Sequence, residues 1–429
     1  MRYQPLPADL YITNRNRLYQ ALPPGSVMIL HSNDVLPTNA DGSIGFVQNS
    51  DLFYLSGVDQ EETILVLFPD AQDPKQREML FVRETNEHIA VWEGEKLTKE
   101  QATERSGIQR VQWLQDFEVQ FRALMCQAGQ VYLNSNEHPR ATIPTETREM
   151  RFIYRCLREF PLHDYRRAAP LLHELRVIKQ PQELSALNEA IRITDDGFRR
   201  LLKFVKPGVH EFEIEAELSH EFIRQRARGF AYTPIIGSGA NACVLHYITN
   251  HCQCQDGEML LLDVAANYGN YNADLTRTIP VNGHFTERQR QVYDAVHRVF
   301  KECLAMLRPG VIIREYQEEV GKLMTSELIG LGLLDRDEVE KQDPEKPLYK
   351  KYFPHGTSHP LGIDVHDVGH MWKPLQAGMV FTIEPGIYIR EESLGVRLEN
   401  NIYIGEHHNT DLMASIPIEP EEIEALMQH

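Results

Sequence analysis

Two stretches of the chain are variants of one pattern. FRRLLKFVKPGVHEFEIEAELSH (198–220) aligns without a gap on FKECLAMLRPGVIIREYQEEVGK (300–322). Phe198 matches Phe300, Leu202 matches Leu304, and Lys206-Pro207-Gly208-Val209 matches Arg308-Pro309-Gly310-Val311, at a constant offset of 102 residues. A Pro-Gly-Val match alone is within reach of chance. A fixed register across apolar positions on both sides of it points to duplication. Each copy reads as helix, Pro-Gly turn, helix, and each is followed by apolar strand runs. The second part of the chain is therefore expected to be a duplicated α/β half-domain.

Carboxylates recur at matching places in the two copies. In DGEMLLLDVAANYGNYNADLTRTIPV (256–281), Asp263 closes an apolar strand run and Asp274 opens the next. A hairpin centred between Tyr268 and Gly269 would set these two aspartates opposite each other, where like charges are destabilising. A divalent cation between them turns that repulsion into attraction. In AGMVFTIEPGIYIREESLGVRLENNIYIGE (377–406), Gly378 precedes Glu384 by six residues, as Gly257 precedes Asp263. Arg397 and Glu399 are two apart in a strand and so share a face. Ordinary exposed acids explain this poorly, because LLLDVAA and VFTIEPG read as buried strands, where an unpaired carboxylate is costly. Four carboxylates offset two divalent cations, and a dinuclear metal site is the expectation.

HGTSHPLGIDVHDVGH (355–370) holds four histidines. His355 and His359 have the spacing of helical zinc proteases. Gly356, however, stands where the glutamate of that motif belongs, and Pro360 and Gly362 would break the helix. His359 can still supply a neutral nitrogen to ligands from elsewhere in the chain. HCQC (251–254) reads as a polar loop holding Cys252 and Cys254, since no second Cys/His pair follows at finger spacing.

The chain has 429 residues, enough for two or three domains. In the first third, 26–32, 63–69, 77–84 and 130–135 read as strands and 114–129 as an amphipathic helix. Such alternation predicts an α/β sheet domain. A helix beginning at Pro181 carries Leu184, Leu187, Ile191, Phe198, Leu202 and Val205 on one face. The boundary is placed between domains 1–167 and 168–429. A net charge of −18 argues against nucleic acid or an anionic membrane as partner. The apolar run MLLLDVAA (259–266) is too short to span a bilayer. The opening residues have no apolar core of a secretory signal, and six cysteines suit a reducing compartment, so a cytoplasmic location is expected.

Asp263, Asp274, His359, Glu384 and Glu399, in that order, resemble the five-ligand set of the pita-bread metallopeptidases. GSGANACVLHY (237–247), DLTRTIPVNG (274–283), HGTSHPLGIDVHDVG (355–369), TIEPGIYI (382–389) and GVRLEN (395–400) match it segment by segment. GFVQNSDLFYLSGV (45–58) and VWEGEKLT (91–98) resemble the N-terminal domain of the aminopeptidase P and prolidase branch. The resemblance implies a C-terminal pita-bread (creatinase/aminopeptidase) fold with an internal pseudo-twofold repeat, plus a smaller N-terminal α/β creatinase-like domain. It implies two divalent ions per chain, commonly Mn²⁺, which also suits a carboxylate-rich set with one imidazole.

By that similarity Asp274 and Glu399 would bridge the ions, Asp263 would chelate one, and His359 and Glu384 would complete the other. His355 and His366 would face substrate and handle protons, with His246 as a third substrate-binding histidine. Arg397 would orient a bridging carboxylate. Trp92 lies in a loop that can reach a neighbouring active site in the family, so it is a candidate substrate-binding residue and a homo-oligomer (dimer or tetramer) is expected. The implied reaction is release of an N-terminal residue from a peptide whose second residue is proline. The alternatives are an Xaa-Pro dipeptidase (prolidase) and a non-catalytic scaffold of the same fold. Some prolidases supply an arginine for the dipeptide carboxylate between the HDVG and EPG motifs; here HMWKPLQAGMVFTI (370–383) has only Lys373.

Overall fold

The computed structural model describes residues 2–428. Contacts separate one compact unit, Tyr3–Arg176, from a second that starts at Val177. The first unit is built on a six-stranded mixed sheet: β1 (Ser26–His31), β2 (Ile64–Leu67), β3 (Glu78–Val82), β4 (Val111–Trp113), β5 (Gln130–Leu133) and β6 (Asp164–Arg167), in the order β4-β3-β2-β1-β5-β6. Every residue of β1 is buried, as its apolar composition requires of a central strand. The helix expected over 114–129 is shorter: a 3-10 turn at Leu114–Asp116 leads into an α-helix at Phe117–Met125. Helix Ala169–Arg176 packs on the first helix, Ala8–Ala21, so the contact boundary falls one helix beyond residue 168.

The second unit carries the repeat. The helices of the repeat are labelled α1 (Pro181–Phe204), α2 (Glu211–Arg224), α3 (Glu287–Met306) and α4 (Ile313–Gly330). The first pair breaks after Phe204 and resumes at Glu211; the second breaks after Met306 and resumes at Ile313, again 102 residues on. Gly208 (φ 96°) and Gly310 (φ 90°) take the left-handed conformation that each Pro-Gly turn demands. Leu187, Ile191, Phe198 and Leu202 of α1 are buried, each contributing about 1.5–3 kcal/mol by leaving water.

Strands follow each helix pair. After α2 come β7 (Gly229–Phe230), β8 (Ile235–Ser238), β9 (Met259–Asp263), β10 (Ala266–Tyr268), β11 (Tyr271–Asn272) and β12 (Thr276–Pro280). After α4 come β13 (Val380–Ile383), β14 (Gly386–Ile389), β15 (Leu394–Arg397), β16 (Asn400–Tyr403) and β17 (Thr410–Asp411). β9 lies between β8 and β12, β16 between β13 and β17, and a bridge from Thr276 to Glu399 joins the two copies.

The hairpin register differs from the sequence expectation by one residue at the turn. Tyr268 pairs with Tyr271, and Asp263 pairs with Thr276, not Asp274. The turn is Gly269-Asn270, with φ of 60° and 63°, the two positive angles of a type I′ turn. Asp274 is thus the diagonal neighbour of Asp263 on the same face. Among the described residues no helix is long and apolar enough to cross a membrane.

Candidate metal centre

Residues 357–361 form no helix but run alongside β13. The Glu384 amide donates to the Thr357 carbonyl (2.8 Å), the Thr382 amide to His359 (2.9 Å) and the Leu361 amide to Val380 (3.1 Å). This pairing sets His359 beside Glu384 while leaving Pro360 without an amide obligation. His359 Nδ1 lies 2.9 Å from the Pro360 carbonyl, so its proton is donated there and Nε2 is left as a ligand atom. Nε2 is 3.4 Å from Asp274 Oδ2 and 3.7 Å from Glu384 Oε1. One ligand atom each from Asp274, His359 and Glu399 lie within 4.8 Å of one another, and all three residues are buried.

Asp263 and Glu399 are held from behind. Asp263 accepts from Arg397 Nη2 (2.6 Å) and from the Tyr232 hydroxyl (2.6 Å). Glu399 Oε2 accepts from the Thr276 hydroxyl (2.7 Å), whose oxygen in turn accepts from Arg397 Nε (3.2 Å). Arg397 was expected to orient a bridging carboxylate; its direct ion pair is instead with Asp263, and it reaches Glu399 through Thr276. The cause is the register, which sets Thr276 opposite Asp263 and bridges it to Glu399. Asn401 clasps the Asp274 backbone, accepting from its amide (3.1 Å) and donating to its carbonyl (2.7 Å).

The cluster carries more negative charge than its cations offset. Burial, with Asp274, Glu384 and Asp263 nearby, pushes the Glu399 carboxyl well above the usual carboxylate range. Burial raises Glu384 to about 7 against the opposing pull of His359 and Arg397, and raises Asp263 too. Burial pulls the His359 imidazole down, but the bond to Asp274 and the charge of Glu384 outweigh it, so the net shift is upward. Carboxylates that resist ionisation this way are a site short of positive charge.

Residues 185–406 match the family model described as metallopeptidase family M24, and residues 11–132 match that of the aminopeptidase P N-terminal domain. The chain belongs to metallopeptidase family M24. The Xaa-Pro aminopeptidase of Escherichia coli strain K12 is 36% identical over 96% of each chain. A putative aminopeptidase P from Bacillus anthracis superimposes with a TM-score of 0.91 at 33% identity, covering 98% of each chain. Zinc-substituted Escherichia coli aminopeptidase P in complex with product superimposes with a TM-score of 0.88 at 34% identity, covering 99% of each. Both the M24 domain and the N-terminal domain of the aminopeptidase P fold are therefore present.

The donor set fits divalent metal as this family requires: hard carboxylate oxygens, one imidazole with its second nitrogen bonded to a carbonyl, and unrelieved negative charge. The remaining predicted residues are distributed around it. His355 Nε2 meets the Tyr388 hydroxyl (2.7 Å), its Nδ1 meets the Gly356 carbonyl (2.8 Å), and burial with Arg397 nearby lowers its pKa to about 3. The His366 ring stands edge-on to His359 with centroids 4.4 Å apart. His246 is exposed on the segment after β8. Trp92 belongs to the first unit, 77% exposed on helix Glu87–Glu93, a helix with no buried residue.

Sequence reasoning passed over Tyr232, Thr276, Tyr388 and Asn401. Thr276 and Tyr388 were legible in part, since each lies an even number of residues from a predicted ligand, Asp274 or Glu384, in a strand motif. Asn401 had the same signal, two residues from Glu399, and Tyr232 carried none.

Proposed function

We propose that this chain is an Xaa-Pro aminopeptidase whose C-terminal domain, 168–429, holds two Mn²⁺ ions on Asp263, Asp274, His359, Glu384 and Glu399. The observation that supports the reading is the buried cluster of Asp274, His359 and Glu399, with Glu384 beside His359, inside an aminopeptidase P fold. When bound, divalent ions supply Lewis-acid activation of a water and of the scissile carbonyl. The other side chains orient substrate and move protons. His355, neutral through the physiological range and braced by Tyr388, offers a hydrogen bond without a charge. His366 and His246 are exposed, His366 placed to hand on a proton at the leaving prolyl nitrogen and His246 to hydrogen-bond the substrate. Arg397 and Tyr388 form one chain of bonds from Asp263 to His355. Glu384, with its raised pKa, sits at the junction of ligand and proton acceptor. The N-terminal domain, 1–167, presents Trp92 to a neighbouring subunit's site in a homo-oligomer, and the protein works in the cytoplasm on peptides with proline second.

The 370–383 segment has no arginine to anchor a dipeptide carboxylate, which favours an aminopeptidase over a prolidase. An Xaa-Pro tripeptide is expected to be cleaved with higher kcat/KM than the matching Xaa-Pro dipeptide at equal manganese, and peptides without proline at the second position to be poor. A clear preference for the dipeptide would make the protein a prolidase. Metal analysis of protein purified without chelator checks the site itself, with about two ions per chain expected.

A further inference from the structure

One buried carboxylate outside the metal centre is fully occupied by a single segment. Glu211, the first residue of α2, has no solvent exposure. Its Oε1 accepts from the Ser238 amide (2.8 Å), the Ser238 hydroxyl (2.8 Å) and Asn241 Nδ2 (3.4 Å). Its Oε2 accepts from the Tyr247 hydroxyl (2.7 Å) and the Cys252 amide (2.9 Å). All five donors are neutral and all lie between residues 238 and 252. A buried carboxylate is tolerated when its lone pairs are used in this way and when it caps a helix N-terminus. One turn further along the same face of α2, Glu215 accepts from Asn250 (2.9 Å), which also accepts from the Ile236 amide (3.1 Å). The segment is thus pinned at both ends to one helix.

Its exposed middle carries His246. Tyr247, next in the chain, is buried and packs in the same apolar cluster as Tyr388, the residue that braces His355. We infer that Glu211 is a positioning residue: through Tyr247 and the Cys252 amide it fixes where His246 stands against substrate. The inference rests on the substrate role proposed above for His246.

A double-mutant cycle on the metal-loaded, full-length protein tests it, with kcat and KM measured on an Xaa-Pro tripeptide. Glu211→Gln exchanges one acceptor oxygen for an NH₂ group that faces donors, so one leg of the clasp is lost. Glu211→Gln and His246→Ala are each expected to lower kcat/KM by about 10–100-fold, the usual effect of losing a supporting residue. In the His246→Ala background Glu211→Gln should cost less than about threefold, because the group it positions is already gone. Metal content should match wild type in all variants. Multiplied losses in the double variant would show that Glu211 acts elsewhere and overturn the inference. Full activity in His246→Ala alone would instead overturn the His246 role, and the inference with it, whatever Glu211→Gln does. If Glu211→Gln folds poorly, Tyr247→Phe, which removes one hydroxyl and keeps the ring, takes its place in the same cycle. Loss seen where His246 is present but not in the His246→Ala background then supports the inference, and multiplied loss overturns it.

Discussion

Glu183 shows what burial does to a carboxylate when the nearby cation is already committed. It lies in the first turn of α1, where it accepts from the Gln180 amide (2.8 Å) and the Tyr271 hydroxyl (3.1 Å). Lys179 is near, but its ammonium bonds Asp367 at 2.9 Å, both groups being buried. Burial therefore dominates and raises the Glu183 carboxyl from 4.5 to about 7. The folded state then binds this proton more tightly than the unfolded chain. The favourable contribution is fully present below about pH 4.5 and is lost as pH rises through about 7. Glu183→Gln keeps an acceptor oxygen and removes the titration. Its stability advantage over wild type should grow from pH 5 to pH 8 and reach on the order of 3 kcal/mol. Urea midpoints at several pH values check this, and a constant offset between the two proteins would rule the assignment out.

At the scale of elements, the centre depends on how closely β15 approaches the 3-10 turn Gly239–Cys243. A Cβ built on Gly395 would sit 2.2 Å from the Ala242 carbonyl oxygen and 2.6 Å from its carbon. That neighbour is backbone and cannot rotate away, so Gly395→Ala must push apart the strand carrying Arg397 and the segment leading to His246. A loss of about 1–3 kcal/mol is expected, the usual range for overpacking. Gly330, at the end of α4, has nothing within 4 Å of its Cβ position and is the control. Gly330→Ala should be neutral or stabilising by about 0.4–1 kcal/mol. Denaturant midpoints at unchanged slope compare the pair, and equal midpoints would contradict the close packing.

For the whole molecule, metal occupancy links chemistry to stability. The raised carboxyls of Glu384 and Glu399 hold protons that divalent ions must displace. Affinity should fall as pH drops below about 7, and calorimetry in buffers of different ionisation enthalpy should register more proton release at pH 6 than at pH 8.5. Absence of proton release at pH 6 would mean that the carboxyls are already ionised. Chelation should lower Tm and added manganese restore it, since a ligand that binds only the folded state stabilises it by mass action. Glu399→Ala should abolish both activity and this chelator-dependent shift. Near wild-type turnover in that variant would remove Glu399 from the centre.

Much of this was legible in the chain itself. Helix breaks at Pro207-Gly208 and Pro309-Gly310 are local events, set by a fixed proline φ and a glycine at positive φ, so the 102-residue repeat could be read directly. The acidic positions were readable because a charge at the end of an apolar strand is conspicuous, and period-two spacing says which residues share a face. Period-two spacing does not say which residue lies across the sheet. The turn at Gly269-Asn270, the pairing of Asp263 with Thr276, and hence the partner of Arg397 followed from backbone conformation and from the bridge between the two copies. Burial of Glu183 and Glu211 was equally hidden, since both stand in polar helical sequence that resembles a solvated face. Local composition set which elements form and where charge was concentrated. Only packing decided which charges lost their water and which neighbours compensated them, because that depends on residues far apart in the chain.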